Sequence, residues 1–301
     1  MINSSDKNFI SKQIKNINFK EVEREMDKLI EIGKTDCSHI SSRSRIGNNV
    51  VDYFTFTQRL ETKGKYNTNF FEFIKNIEEF KKKKFIQTML TYYRDVKNKN
   101  NTKNEYIVLK EVYNICISAI NIMRPLNCIE IYQKYNAKRV LNFCAGWGGS
   151  TVAAAALNLE AFYGIEINTD LKESYESMVT YLKTKCDTVF NIQFCDAVTT
   201  DYTLLNYDTV FTSPPYYALE KYAHNVKYES KKDMEEQFYK PIFANSYNGL
   251  QKGGHYIINV CVEVYENVLK KMFGEANEIF SLKKSKRQNN YTELVYVWVK
   301  K

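Results

Sequence analysis

Val140-Leu141-Asn142-Phe143-Cys144-Ala145-Gly146-Trp147-Gly148-Gly149-Ser150-Thr151 is the stretch whose reading decides the fold. An apolar strand candidate, Arg139 to Phe143, runs into a glycine cluster, and the alanine-rich Val152 to Leu157 that follows reads as a helix. Strand, tight loop and helix start, in that order, open a βαβ unit. Glycines there let the backbone approach a ligand closely, and the first helical turn offers N–H groups to an anion. About 20 residues beyond Gly146, Glu166 closes the next apolar segment, Ala161 to Ile167. A carboxylate at that strand end can accept both hydrogen bonds of a ribose diol, so the series points to a nucleoside-containing ligand. Asp196 stands just past a third strand, Phe190 to Phe194, placed to accept from an adenine amino group or simply to cap a helix.

Further along, the apolar Thr209 to Thr212 leads directly into Thr212-Ser213-Pro214-Pro215-Tyr216-Tyr217, which holds two of the four prolines of the chain. Paired prolines fix the backbone and remove two N–H donors, leaving carbonyl oxygens at the carboxyl edge of the sheet, where open α/β sheets bind ligands. Tyr256 to Val260 reads as another buried strand, and Ile279 to Lys284 with Glu293 to Val299, around the turn-rich Arg287 to Asn290, as a closing hairpin. Strands alternating with helices predict an α/β fold, a Rossmann-like doubly wound sheet ending in a C-terminal antiparallel hairpin.

Upstream the pattern differs. Eight of the 11 glycines lie after residue 140, and the first 120 or so residues read as mainly helical, with apolar positions at helical spacing in Phe19 to Ile32, Phe70 to Val96 and Tyr106 to Met123. We therefore divide the chain into a helical region, 1–122, and an α/β domain, 123–301. Residues 1–110 carry 22 Lys and Arg against 14 Asp and Glu, while the remainder carries 21 of each, so the whole formal excess of +8 sits in the first third. That distribution suits a polyanion-binding surface, although lysine-rich chains also carry charge as plain solvated surface. The polar stretch Ser41 to Asn69 interleaves Arg43, Arg45, Arg59, Lys63 and Lys65 with Tyr53, Phe54, Phe56 and Tyr66. Such interleaving fits a nucleic-acid strand, or ordinary loop and packing residues. The run Lys81 to Lys84 reads as a solvated helix face.

The hydrophobic content of 44%, with 14% aromatic residues, is that of a folded protein, and no apolar run reaches the ~20 residues of a membrane span. The Met1-Ile2-Asn3-Ser4 start shows no signal-peptide or myristoylation pattern, so an intracellular, soluble protein is expected. Seven scattered cysteines without a C-x-x-C pair, and three dispersed histidines (His39, His224, His255), predict reduced thiols and no metal.

These residues resemble the amino-methyltransferase family of DNA methyltransferases, which make cytosine-N4 or adenine-N6 marks. Phe143 to Gly149 is similar to the family's F-x-G-x-G cofactor motif and Thr212 to Tyr216 to its T-S-P-P-Y catalytic motif, the likeness covering residues 123–301. It implies S-adenosyl-L-methionine held by Arg124, Phe143, Ala145, Gly146, Gly148, Glu166, Ile167, Asp196 and Thr212, and catalysis by Ser213, Pro214, Pro215 and Tyr216. In such chemistry Ser213 and the Pro214 carbonyl accept protons from a base's amino group, whose delocalised lone pair makes it a poor nucleophile, and Tyr216 stacks on the flipped base. Asn142 departs from the acid that many members carry. Only about 60 residues separate the two motifs, too few for a recognition domain, so DNA recognition is expected from residues 1–122, with Arg43, Arg45, Arg59 and Tyr217 as substrate contacts. RNA is the alternative polymer. A protein-glutamine methyltransferase usually has asparagine where Ser213 stands, and an inactive nucleic-acid-binding module is a further alternative.

Overall fold

The computed structural model describes residues 2–37, 40–41, 43–118, 120–217, 226–282 and 293–301. The expected hairpin turn, Arg287 to Asn290, and His39 and His224 lie outside the described residues.

Eight helices precede the sheet: α1 (Ser4–Ile14), α2 (Phe19–Gly33), α3 (Asn48–Arg59), α4 (Phe70–Lys75), α5 (Ile77–Lys81), α6 (Lys84–Thr91), α7 (Glu105–Cys116) and α8 (Pro125–Lys134). Then follow β1 (Arg139–Asn142), α9 (Gly149–Ala156), β2 (Ala161–Glu166), α10 (Lys172–Leu182), β3 (Val189–Phe194) and β4 (Thr209–Thr212). A helix begun by α11 (Lys231–Met234) passes through a π turn into α12 (Lys240–Gly249), and β5 (His255–Cys261) follows. Another, from α13 (Val262–Val264) to α14 (Lys270–Phe273), leads to β6 (Glu278–Phe280) and β7 (Glu293–Val299). The seven strands form one sheet in the order β3-β2-β1-β4-β5-β7-β6. Strands β1 to β5 are parallel, and β7 pairs antiparallel with both β5 and β6. The predicted α/β sheet is thus present, with the last strand inserted between its hairpin partner and the parallel body.

Period-two alternation sends successive strand residues into different cores. Val140, Phe162, Phe211, Ile257, Val295 and Val297 join the core beneath α8, α9 and α10. Leu141, Val210, Tyr256, Ile258, Tyr296 and Trp298 join the core beneath α12 and the α13–α14 helix. Val22, Met26 and Leu29 of α2 and Val50 and Val51 of α3 belong to the first of these cores, so two helices of the basic region pack with the sheet-side helices. A third core, including Ile10, Phe70, Phe73, Leu90 and Tyr113, holds α1, α4, α6 and α7 together.

Three helical expectations need correction. The continuous helix over Phe70 to Val96 is broken at Asn76 and at Lys83, which is extended, inside the lysine run, and a π turn, Tyr92–Lys97, follows α6. Keeping Lys81 and Lys84 on separate helices avoids stacking like charges three residues apart. Lys81 and Lys82 pair instead with Glu78 and Glu79 on a solvated face. The Tyr106 to Met123 helix stops at Cys116 because the Ile117 carbonyl accepts from Lys65 N at 3.2 Å, bonding across the chain rather than continuing the helix. Within Ser41 to Asn69, residues 48–59 are helical, although Val, Thr and Asn give α3 weak intrinsic propensity. The Glu25 carboxylate of α2 supplies what the local sequence lacks. It accepts from Gly47 N at 2.9 Å, Asn49 N at 3.1 Å and Asn49 Nδ2 at 2.7 Å, capping α3 from a distance of more than 20 residues in sequence.

Among the described residues no helix is long and apolar enough to cross a membrane.

Candidate active site

The glycine loop is tied down from four directions. Asn142, buried at the end of β1, donates from Nδ2 to Ser150 Oγ at 2.8 Å and accepts at Oδ1 from Cys144 N at 3.1 Å, joining the strand end to the first turn of α9. Its amide is thus spent on shaping the loop. Glu166, at the end of β2, accepts from Gly146 N at 2.7 Å and from Asn168 N at 2.9 Å, which fixes the plane of its carboxylate. Tyr175 of α10 donates to Gly146 O at 2.9 Å. The one proton of the Thr55 hydroxyl in α3 is shared between Trp147 O and Val51 O, each at 3.0 Å, a contact between the basic region and the loop. Two glycines are sterically required. Gly148 has φ +94 beside the Met178 thioether, and a Cβ on Gly149 would lie 1.8 Å from Met123 O. By contrast, a Cβ on Gly146 would meet only Cys144 O, at 3.8 Å, so that side of the loop is open to a ligand.

The Ser-Pro-Pro-Tyr turn leaves the end of β4 next to this loop, because β4 is the parallel neighbour of β1. Tyr239 holds its far side, donating to Pro215 O at 2.5 Å and accepting from Tyr217 N at 3.0 Å. Tyr217 sits at φ 45, a left-handed conformation that costs a non-glycine residue about 1–3 kcal/mol. The Tyr239 clamp and the Tyr217 hydroxyl bond to Glu235, at 2.8 Å, keep it there.

A residue that sequence reading missed organises the near side. Asn259, in β5, donates from Nδ2 to Ser213 Oγ at 3.1 Å and to Tyr216 Oη at 2.9 Å. The Tyr216 hydroxyl reaches the Asn259 carbonyl at 3.2 Å and Ser213 Oγ at 2.8 Å. A phenol has one proton to give. Either oxygen can supply the proton between Ser213 and Tyr216; in the arrangement where the phenol donates to the Asn259 carbonyl, the serine donates to Tyr216 and keeps a lone pair for a ligand. The Asn259 Oδ1 atom is itself buried and has no hydrogen-bond partner. The available signal was a single amide in the otherwise apolar run Tyr256 to Val260.

One continuous cavity, of about 2220 Å³, takes in both loops. Of the predicted residues, Arg45, Arg59, Arg124, Phe143, Ala145, Gly146, Glu166, Ile167, Asp196, Thr212, Ser213, Pro214, Pro215, Tyr216 and Tyr217 line it. Gly148 stands behind the loop against Met178, and Arg43 is exposed outside the cavity lining. Arg59 is ion-paired with the buried Asp52, so it lies within a charge cluster rather than on an open basic strip. Asp196 accepts from Val198 N at 2.9 Å in a turn, with no helix there to cap, and lines the cavity. Cys144 also lines it, but burial and the nearby Glu166 and Asp196 carboxylates push its thiol pKa up. A thiol held protonated is a poor nucleophile, which argues against covalent cysteine chemistry here. Among the described residues no group of three or more His, Cys, Asp or Glu side chains is arranged to hold a metal ion.

No protein-family model matches the sequence, and no curated protein does. The chain is similar in structure to TrmN from Thermus thermophilus, with 15% identity over 58% of this chain and 48% of that one, at a TM-score of 0.45. It is similar also to an rRNA methylase from Streptococcus thermophilus, with 13% identity over 60% of this chain and 99% of that one, at a TM-score of 0.40. A SAM-dependent O-methyltransferase from Thermotoga maritima is 15% identical over 60% of this chain and 67% of that one, at a TM-score of 0.42. The match thus spans about half the length of the TrmN chain.

Proposed function

We propose that this protein transfers the methyl group of S-adenosyl-L-methionine to the exocyclic amino group of a nucleobase, cytosine N4 or adenine N6, with DNA as the first substrate to test. The observation that carries this reading is that Ser213 Oγ, hydrogen-bonded to Asn259 Nδ2 and Tyr216 Oη, lines the same cavity as the open face of the glycine loop.

The cofactor fits the residues present. Gly146 leaves open space, the first turn of α9 supplies N–H groups, Glu166 offers an oriented carboxylate for a ribose diol, and Asp196 lies within the lining for an adenine amino group. Arg124, Phe143, Ala145, Gly148, Ile167 and Thr212 complete the shell by our assignment. When bound, the cofactor supplies a methyl group on a cationic sulfur.

The chain's own residues then have defined tasks. Ser213 Oγ and the Pro214 carbonyl accept the two amino N–H groups, drawing the nitrogen out of conjugation with the ring. Tyr216 and Tyr217 line the space beside the base, and Tyr239 keeps the Pro215–Tyr217 turn in register. The methylated nitrogen sheds one of its two amino protons by way of Ser213 Oγ to solvent as the product leaves, so rate enhancement rests on orientation and water exclusion and needs no strong general base.

The test is transfer of tritiated methyl from S-adenosyl-L-methionine to duplex DNA, single-stranded DNA and RNA, followed by nucleoside mass spectrometry. The expected product is N4-methylcytosine or N6-methyladenine in DNA. RNA is included because none of the assigned residues distinguishes ribose from deoxyribose. Label in no nucleic acid, or only on carbon or on protein, overturns the reading.

A further inference from the structure

At about 2220 Å³ the cavity is more than twice the upper end of the roughly 300–1,000 Å³ typical of small-molecule sites. Part of its lining is a wall made by α3 and α7. Asn48, Asp52, Phe56 and Arg59 recur every three to four residues along one face of α3, and Lys110 and Asn114, four apart, face the same space from α7.

The charges on this wall do not balance. Asp52 is shared by two cations, Lys15 and Arg59, which leaves that cluster at +1. The other carboxylates in the lining of this part are paired with lysines from outside it, Glu61 with Lys7 and Glu111 with Lys103. Lys110 has no carboxylate partner among the described residues. Its ammonium donates to the neutral Asn114 amide and lies over Tyr113 and Phe70, 5.3 and 5.8 Å from their ring centroids. Burial and the Arg59 charge push its pKa down to about 7 against the opposing pull of the Asp52 carboxylate, a cation held at a cost that a bound anion would offset.

We propose that the α3–α7 wall binds the phosphodiester backbone of a single nucleic-acid strand, with Lys110 and Arg59 as the phosphate contacts. The choice of a nucleic acid as ligand rests on the proposed function. The wall opens into the same cavity as Ser213, so a strand seated there presents its neighbouring base to the Ser-Pro-Pro-Tyr turn. Phosphate and base of that one strand enter the cavity together, as an unpaired strand allows and as base flipping allows for one strand of a duplex.

The test uses the full chain and a fluorescein-labelled oligothymidylate, whose base has no exocyclic amino group, so that backbone binding is read apart from methyl acceptance. Anisotropy titrations across a series of KCl concentrations should show Lys110→Gln weakening binding about tenfold and lowering the salt slope by about one, with Lys110→Arg restoring both. Lys252→Gln, at an exposed site away from the cavity, should leave both unchanged. Cofactor affinity by calorimetry should be equal in all four proteins, which excludes a folding defect. Equal oligothymidylate affinity and slope in wild type and Lys110→Gln overturn the proposal, whether or not methyl transfer occurs. Lys110-dependent strand binding without methyl transfer to any polymer removes the proposed function and leaves this site standing.

Discussion

At the scale of single residues, the informative position is Asn259. Its side-chain nitrogen supplies two of the contacts that set which way the Ser213 hydroxyl points. Aspartate has nearly the same shape but no N–H to donate, so Asn259→Asp isolates the hydrogen bonds from the packing. We expect Asn259→Asp and Asn259→Ala to lower kcat by about 10²-fold while cofactor affinity is retained, because misplacing a reacting group by a fraction of its contact distance costs that order of rate. Single-turnover kinetics with calorimetric titration of the cofactor check this. A loss of cofactor binding to the same extent would place Asn259 in the fold rather than in the reaction. Sequence reading singled out Ser213, Pro214, Pro215 and Tyr216, all on the cavity lining, because adjacent prolines after a strand are rare. It missed Asn259 because its significance comes from β5 lying beside β4, a relation between positions 46 residues apart that no local pattern encodes.

At the scale of elements, the strands were legible and α3 was not. Buried strands are short apolar runs, so the parallel β1, β2 and β4 and the antiparallel β7 match their expected bounds to within a residue. The α3 segment carries few strong helix formers and takes its cap from Glu25 of another helix, so it forms through tertiary contacts. Those contacts give α3 a direct hold on the glycine loop through Thr55 and the Trp147 carbonyl. Thr55→Val keeps the volume and removes the hydroxyl. It is expected to cost about 1 kcal/mol in denaturant unfolding and to weaken cofactor binding several-fold, with methyl-transfer kcat at saturation little changed. Unaltered cofactor affinity in calorimetry would show that the loop holds its shape without α3.

At the scale of the whole molecule, strand order carries most of the argument. The doubly wound sheet was predictable from alternating strands and helices, whereas the insertion of β7 between β5 and β6 was not, since a hairpin reading pairs β6 and β7 without saying which lies inward. The consequence is physical: β7 bonds on both edges and buries Val295 to Trp298 across both faces of the sheet. Its amides at 295–298 should therefore exchange with solvent only through global opening, as slowly as those of β4 and β5. Hydrogen-exchange mass spectrometry on peptides covering 293–299 tests this, and exchange as fast as that of the exposed helices α5 and α6 would contradict the central placement of the strand.

The chain has two tryptophans. Trp298 is fixed among Tyr256, Tyr265, Phe273 and Tyr296 at the back of the sheet, while Trp147 stands in the glycine loop itself, on the lining of the cavity. The molecule thereby contains its own optical probe: with Trp298 replaced by phenylalanine, the remaining indole emission reports loop occupancy directly, free of any label and of any assumption about which polymer is modified.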